Sequence, residues 1–308
     1  MTVKEVFELR KQGKIEEAYE AIRPMYAVHK GKYTTLCMFW TASDIMKKRL
    51  TEKRTAEAEK IFEALLRVQP AIDDKDGKVH EAVIHGALRM KEASPTFRML
   101  DFVERYGMER LKEEDWRGAT SQEGNHPLPS TARRMLTCCF HELKANPTVE
   151  NALKMMPLLQ ESVRRHPRDK HNLRYMAVVY CIMGEREKAV NLYRQLLTRH
   201  RDSYLYAELA DLTDDPGQKA ALLCRAIMNQ RQEQFRSGYR YALATLLISR
   251  DKPKAVHEVQ KCVACRKAQG FPITRDLQSM LTQLQGVTPT TDAQQMDFYR
   301  KMVEKFKV

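Results

Sequence analysis

The segment RYMAVVYCIMGEREKAVNLYRQLL, residues 174–197, favours helix at nearly every position and carries one glycine in its middle. On a helical template Leu173, Met176, Ala177 and Tyr180 share a face before Gly184; Ala189, Tyr193 and Leu196 share another after it. Gly184 therefore ends one helix, where a left-handed backbone is cheap for glycine, and the next helix turns back on the first. Such a hairpin cannot bury both its faces alone, so it needs copies of itself on each side.

The copies are present. Gly13, Ala18, Ile22 and Met25 repeat the offsets of Gly184, Ala189, Tyr193 and Leu196. Ala58, Phe62 and Leu65 repeat the last three, and Pro70 follows where a proline would stop the second helix. Ala255, Val259 and Cys262 repeat them again, preceded by Tyr239, Ala242, Leu243 and Leu246. A weaker copy lies at Ala220, Cys224 and Ile227 behind the shortened turn DDPGQ, and RLTEKRTAEA in the second copy lacks the turn glycine. Between residues 71 and 150 the register is lost. There, Ser94 and Pro95 read as the start of one helix and Ser130 or Thr131 as the cap of another. Residues 117–129, RGATSQEGNHPLP, show no periodicity and read as an exposed loop with Trp116 anchoring its entrance. The last helix carries Met296, Tyr299, Met302, Val303 and Phe306 on one stripe, as a helix covering the end of an array would.

These spacings resemble the tetratricopeptide repeat, best over residues 170–203, with Leu173 and Ala177 in the family's tryptophan and first glycine places. The resemblance implies an all-α fold: a right-handed α-solenoid of stacked hairpins with a C-terminal capping helix. No shift in composition divides the chain, so residues 1–308 read as one domain. In the family the first helix of each hairpin lines a concave groove. Carried onto this chain, the groove places are His171, Arg174, Tyr175, Val178 and Cys181, then Ser237, Arg240, Tyr241, Ala244 and Leu247. In the second copy they are Trp40, Ser43, Asp44 and Lys47, and Tyr206 lies on an intervening first helix. The ligand set expected here is His171, Arg174, Tyr175, Tyr206, Arg240, Tyr241 and Lys47.

The Arg–Tyr pair recurs at equivalent places, Arg174–Tyr175 and Arg240–Tyr241. Guanidinium groups hold carboxylates bidentately, and phenol rings support an apolar side chain. The resemblance thus implies a non-enzymatic scaffold that takes an acidic or extended peptide segment of a partner protein. The alternative is a nucleic-acid-associated module, stacking single-stranded bases on the same rings. Self-association through the terminal helix is a third option. Net charge of +13 suits either polyanion. It is uneven: residues 151–200 carry ten basic and four acidic side chains.

Catalytic and metal motifs are wanting. In HEAVIH the two histidines, His80 and His85, are five apart, about 140° around a helix, whereas H-E-x-x-H zinc sites need four. CVAC at Cys262–Cys265 is a single C-x2-C pair, and Cys262 falls on a packing position. No glycine-rich phosphate loop and no G-x-S-x-G occurs. The expectation is no enzyme, no cofactor and no metal. Seven cysteines, an odd number, read as reduced thiols, and no apolar run suits a membrane span. The chain reads as cytoplasmic, without membrane association.

Overall fold

The computed structural model describes residues 1–120 and 127–308. Its residues form two compact units, Met1–Arg165 and His166–Val308. Both are all-α, and the described residues hold seventeen α-helices. The one extended pairing among them is a two-residue antiparallel bridge, Ala119–Thr120 against Pro127–Leu128. The expected loop at 117–129 lies partly outside the described residues. Its anchor does not: Trp116 is buried, with the Arg165 guanidinium 4.9 Å from its ring centre.

The second unit carries the hairpins most regularly: α10 (Lys170–Ile182) with α11 (Arg186–Leu197), α12 (Ser203–Asp211) with α13 (Pro216–Asn229), and α14 (Ser237–Leu247) with α15 (Lys252–Ala268). Gly184 has φ +78°, and its N–H donates to the Cys181 carbonyl while that of Glu185 donates to Tyr180. Those bonds satisfy the last carbonyls of α10 and reverse the chain. The paired helices each carry a fully buried small residue: Ala177 and Ala189, Ala210 and Ala221, Ala244 and Ala255. Tyr193, Leu205, Leu223, Leu243 and Val259 fill the space between them. Each fully buried side chain of this size contributes about 1.5–3 kcal/mol.

Two further helices complete this unit, α16 (Arg275–Gln283) and α17 (Asp292–Phe306). Sequence reading anticipated only the second. It packs chiefly along α13, burying Tyr299 and Val303, while Met296 stays exposed. The Arg225 guanidinium holds the Val308 carbonyl oxygen at 2.8 Å and ties down its end.

In the first unit, α1 (Val3–Lys11), α2 (Ile15–Val28), α3 (Lys32–Thr51) and α4 (Thr55–Val68) form two hairpins. The missing turn glycine is replaced by Lys53, which adopts φ +60° and donates its N–H to Leu50 as a glycine would. Phe62 of α4 lies so near α5 (Lys78–Ala93) that a Cβ on Gly86 would stand 3.0 Å from its ring. The expected Ser94 start is displaced. Ser94 ends α5, and α6 (Met99–Tyr106) begins five residues later with no side-chain cap of its own. Glu142 of α8 (Thr131–Ala145) supplies one instead, its two oxygens accepting from the Met99 and Leu100 N–H groups at 2.8 and 3.0 Å. Ser130 does cap α8, accepting from Arg133. The unit closes with the four-residue α7 (Glu113–Trp116) and with α9 (Val149–Arg165), which ends before Pro167.

Candidate functional site

The two arginines singled out by the sequence meet different fates. Arg174 leaves α10 beside α12, where its Nε and Nη2 donate to both oxygens of Glu208 at 2.9 and 2.5 Å. Its guanidinium lies 4.6 Å from the Tyr204 ring centre, and the Tyr193 hydroxyl donates to the same carboxylate. Burial alone would lower the arginine's pKa; the Glu208 hydrogen bond and charge outweigh it. The pair closes on itself as a clamp between neighbouring hairpins.

Arg240 of α14 is also buried, yet two-faced. Inward, its Nη1 donates to Glu258 Oε2 of α15 at 2.9 Å and to the Tyr299 hydroxyl at 3.3 Å. Glu258 is fully buried, and its other oxygen accepts from Gln295 at 2.5 Å and from Tyr299. Outward, the Nε and Nη2 edge meets Glu233 alone, a residue with about half its side chain exposed. That edge opens onto a cavity of about 440 Å³ between α15, α17 and the single helical turn Glu233–Phe235.

Four groups able to carry positive charge line this cavity: Arg236, Arg240, His257 and Lys261. The carboxylates on the cavity side are exposed. Glu233 holds Arg236 at 2.6 Å as well as Arg240. Asp292 accepts from Lys261 at 2.9 Å and lies 3.5 Å from His257, whose Nδ1–H donates to the Thr290 carbonyl. Lys261's hydrogen bond holds the Asp292 carboxyl below the usual carboxylate range. Ala264, Ala268 and Met296 give the cavity an apolar side. Chemically it is fitted to seat an anion with an aliphatic stem.

Of the other expected ligand residues, Tyr175 and Tyr206 are buried, Tyr206 within the core that joins the hairpins. Tyr241 is half-buried and does not line the Arg240 cavity. His171 is exposed on the first turn of α10, its ring 6.4 Å from that of Tyr175. Lys47 belongs to the first unit, where it lies 3.5 Å from Asp44; that carboxylate also holds Arg10, whose guanidinium sits over Trp40. Ser43, another groove place, is buried with no hydrogen-bond partner for its hydroxyl among the described residues. The structure thus gathers Arg240 with Arg236, His257, Lys261 and Tyr299, none of which was singled out as a ligand residue. Their sequence signals were scattered: His257 and Lys261 lie on the charged α15, Arg236 precedes α14, and Tyr299 belongs to the apolar stripe of α17.

The histidines of HEAVIH diverge. His80 is buried between Asp115 (2.6 Å from Nε2) and the Tyr106 hydroxyl (2.7 Å from Nδ1), so both ring nitrogens are engaged. Burial would raise the Asp115 pKa, but the His80 hydrogen bond and the Lys112 N–H bring it below the ordinary value. Burial pushes Tyr106 up to about 12. His85 points to the surface beside Glu81. Cys262 and Cys265 are buried thiols, the first against Ser237 and the second donating to the Glu233 carbonyl. Among the described residues no three His, Cys, Asp or Glu side chains gather as metal ligands do, and no helix is long and apolar enough to cross a membrane.

Residues 173–305, from α10 into α17, match a family model described as a domain of unknown function (DUF7017). That span contains the Arg240 cavity. No curated protein matches the chain. Among solved structures, a tetratricopeptide repeat protein from Parabacteroides merdae matches at 8% identity with a TM-score of 0.40, covering 92% of this chain and 96% of that one.

Proposed function

We propose that the protein is a non-enzymatic scaffold of tetratricopeptide-like repeats that binds an acidic segment of a partner protein. The observation that carries this reading is the Arg240 cavity. Among the described residues the desolvated guanidinium edge there meets the half-exposed Glu233, which also holds Arg236, while the exposed Asp292 faces Lys261 and His257. A partner's acidic side chain displaces an exposed ion pair at little cost, since such pairs contribute about 0–1 kcal/mol. It gains a charge-assisted bond in a partly dry site, about 1.5–3 kcal/mol each. The seven cysteines are all free thiols, which fits a reducing compartment such as the cytoplasm.

The test begins with capture of partners from the native host, followed by affinity measurement for an identified acidic segment. Lys261→Ala combined with Arg236→Ala changes half-exposed side chains and leaves the buried pair intact. Affinity is expected to fall at least about tenfold, or 1.4 kcal/mol. Unchanged affinity in the folded double variant would move the peptide site out of this cavity.

A further inference from the structure

The connections between helical hairpins line one edge of the second unit. Four connections lead from a second helix to the next first helix: residues 166–169, 198–202, 230–236 and 269–274. Hydrogen bonds fasten the neighbourhoods of these connections together. Lys170 donates to Asp202 at 3.0 Å, Asn229 to the Arg201 carbonyl at 2.9 Å, and Gln230 to Ser203 at 3.1 Å. The Cys265 thiol, one turn before the last connection, donates to the Glu233 carbonyl. The connections therefore make one continuous edge.

That edge is basic without compensation. Arg168, Arg199, Arg201 and Arg231 stand exposed on it, and Arg266 and Lys267 join them from the last turn of α15. None of the six has an ion pair among the described residues. The edge's own acids are occupied: Asp169 caps α10, Asp202 holds Lys170, and Glu233 holds Arg236 and Arg240. Attraction of cations to helix C-termini accounts for Arg266 and Lys267, which lie in a last turn. It does not reach Arg168, Arg199, Arg201 or Arg231, which lie beyond their helices. Two large aromatic side chains share the edge, Phe235 at 57% and Phe271 at 55% exposure, with the Arg266 guanidinium 5.9 Å from the Phe271 ring centre.

We infer that this edge binds single-stranded nucleic acid, its arginines on successive phosphates and Phe235 and Phe271 stacked on bases. A row of unpaired cations matches a charge that recurs at every nucleotide. Exposed rings add a contact that every unpaired base can accept. A duplex offers the phosphates but keeps its bases stacked, so the rings favour the single strand. The inference is independent of the peptide reading, which rests on the Arg240 cavity.

The experiment is fluorescence anisotropy of a fluorescein-labelled oligouridine against the full chain, repeated across a salt series. Each phosphate contact contributes about −0.7 to the slope of log affinity against log salt, so six cations give about −4. Arg199→Ala with Arg201→Ala and Arg231→Ala is expected to lower that steepness by about 2 and to weaken binding at least about tenfold at low salt. All three residues are exposed, so the variant should retain its helical circular dichroism. Phe235→Ala with Phe271→Ala is expected to weaken binding about tenfold or more and leave the slope unchanged. A wild-type slope shallower than about −1 would overturn the inference. So would a triple variant that binds like the wild type, or a phenylalanine variant that loses affinity for phosphatidylserine-containing vesicles while keeping its affinity for the oligonucleotide.

Discussion

Arg240→Leu should destabilise the second unit severely, and adding Glu258→Gln should restore much of the loss. The reasoning starts from burial. Glu258 has no exposed surface and three donors: Arg240 Nη1, the Gln295 amide and the Tyr299 hydroxyl. Taking away the guanidinium leaves a carboxylate in the interior with two neutral donors and no counter-charge. Breaking a buried pair from one side costs about 3–5 kcal/mol. Glutamine at 258 removes the uncompensated charge while its carbonyl oxygen still accepts from Gln295 and Tyr299. The double variant should therefore recover at least about 2 kcal/mol relative to the single one. Loss of the outer Glu233 contact adds little, because that carboxylate is half in water. Urea unfolding followed by helical circular dichroism measures both. A double variant no more stable than Arg240→Leu alone would refute the claim that the unpaired charge is what the fold cannot tolerate.

Three further outcomes follow from local geometry. Gly184→Ala should cost about 1–2 kcal/mol from backbone strain alone, since a Cβ there meets no atom within 4 Å; an unchanged urea midpoint would show the turn tolerates a side chain. Lys53→Gly should do the reverse, raising stability by up to about 1 kcal/mol, because a lysine now occupies φ +60°; a lower midpoint would count against it. Glu161 is held at about 2, against an ordinary 4.5, first by its hydrogen bond from Arg164 and then by Arg165. A depressed carboxylate contributes stability above its unfolded pKa and loses it as pH falls through the folded one, so Glu161→Gln should flatten the stability curve between about pH 4.5 and 2; superimposable curves would contradict it.

The hairpins were legible because their determinants are local. Gly184, Ala189 and Tyr193 sit within three turns of one another, and the bonds that reverse the chain there join neighbours. Other features are not local. The start of α6 is set by Glu142, more than forty residues away, so no cap precedes Met99 in the sequence. Lys53 shows a different limit: the flanking helices of the second copy fix the turn, and a strained lysine is carried along. At the candidate site, one place beyond the packing seam is about 100° around α14, a direction that should face solvent in a bare hairpin. Here α17 arrives from far along the chain and covers it, so Arg240 is buried against Tyr299, 59 residues later. Tyr241, adjacent in sequence, turns away from the cavity for the same geometric reason.

Salt should separate the roles of these charges. The protein carries +13 overall, and like charges spread over its surface oppose compaction. At about 0.1 M salt the screening length is about 10 Å, and at 1 M about 3 Å, so surface repulsion weakens as salt rises. Arg174–Glu208 and Arg240–Glu258 are shielded from water and are screened much less. If the buried pairs hold the second unit and the exposed cations only repel one another, sodium chloride should leave the thermal midpoint unchanged or raise it by a few degrees. Binding of an oligonucleotide to the connection edge should collapse over the same range. A midpoint that fell steeply with salt would mean that exposed pairs such as Arg186–Asp214 or Lys261–Asp292 carry the fold. Glu233 and Asp292 would then be too firmly held to yield to a partner's carboxylate.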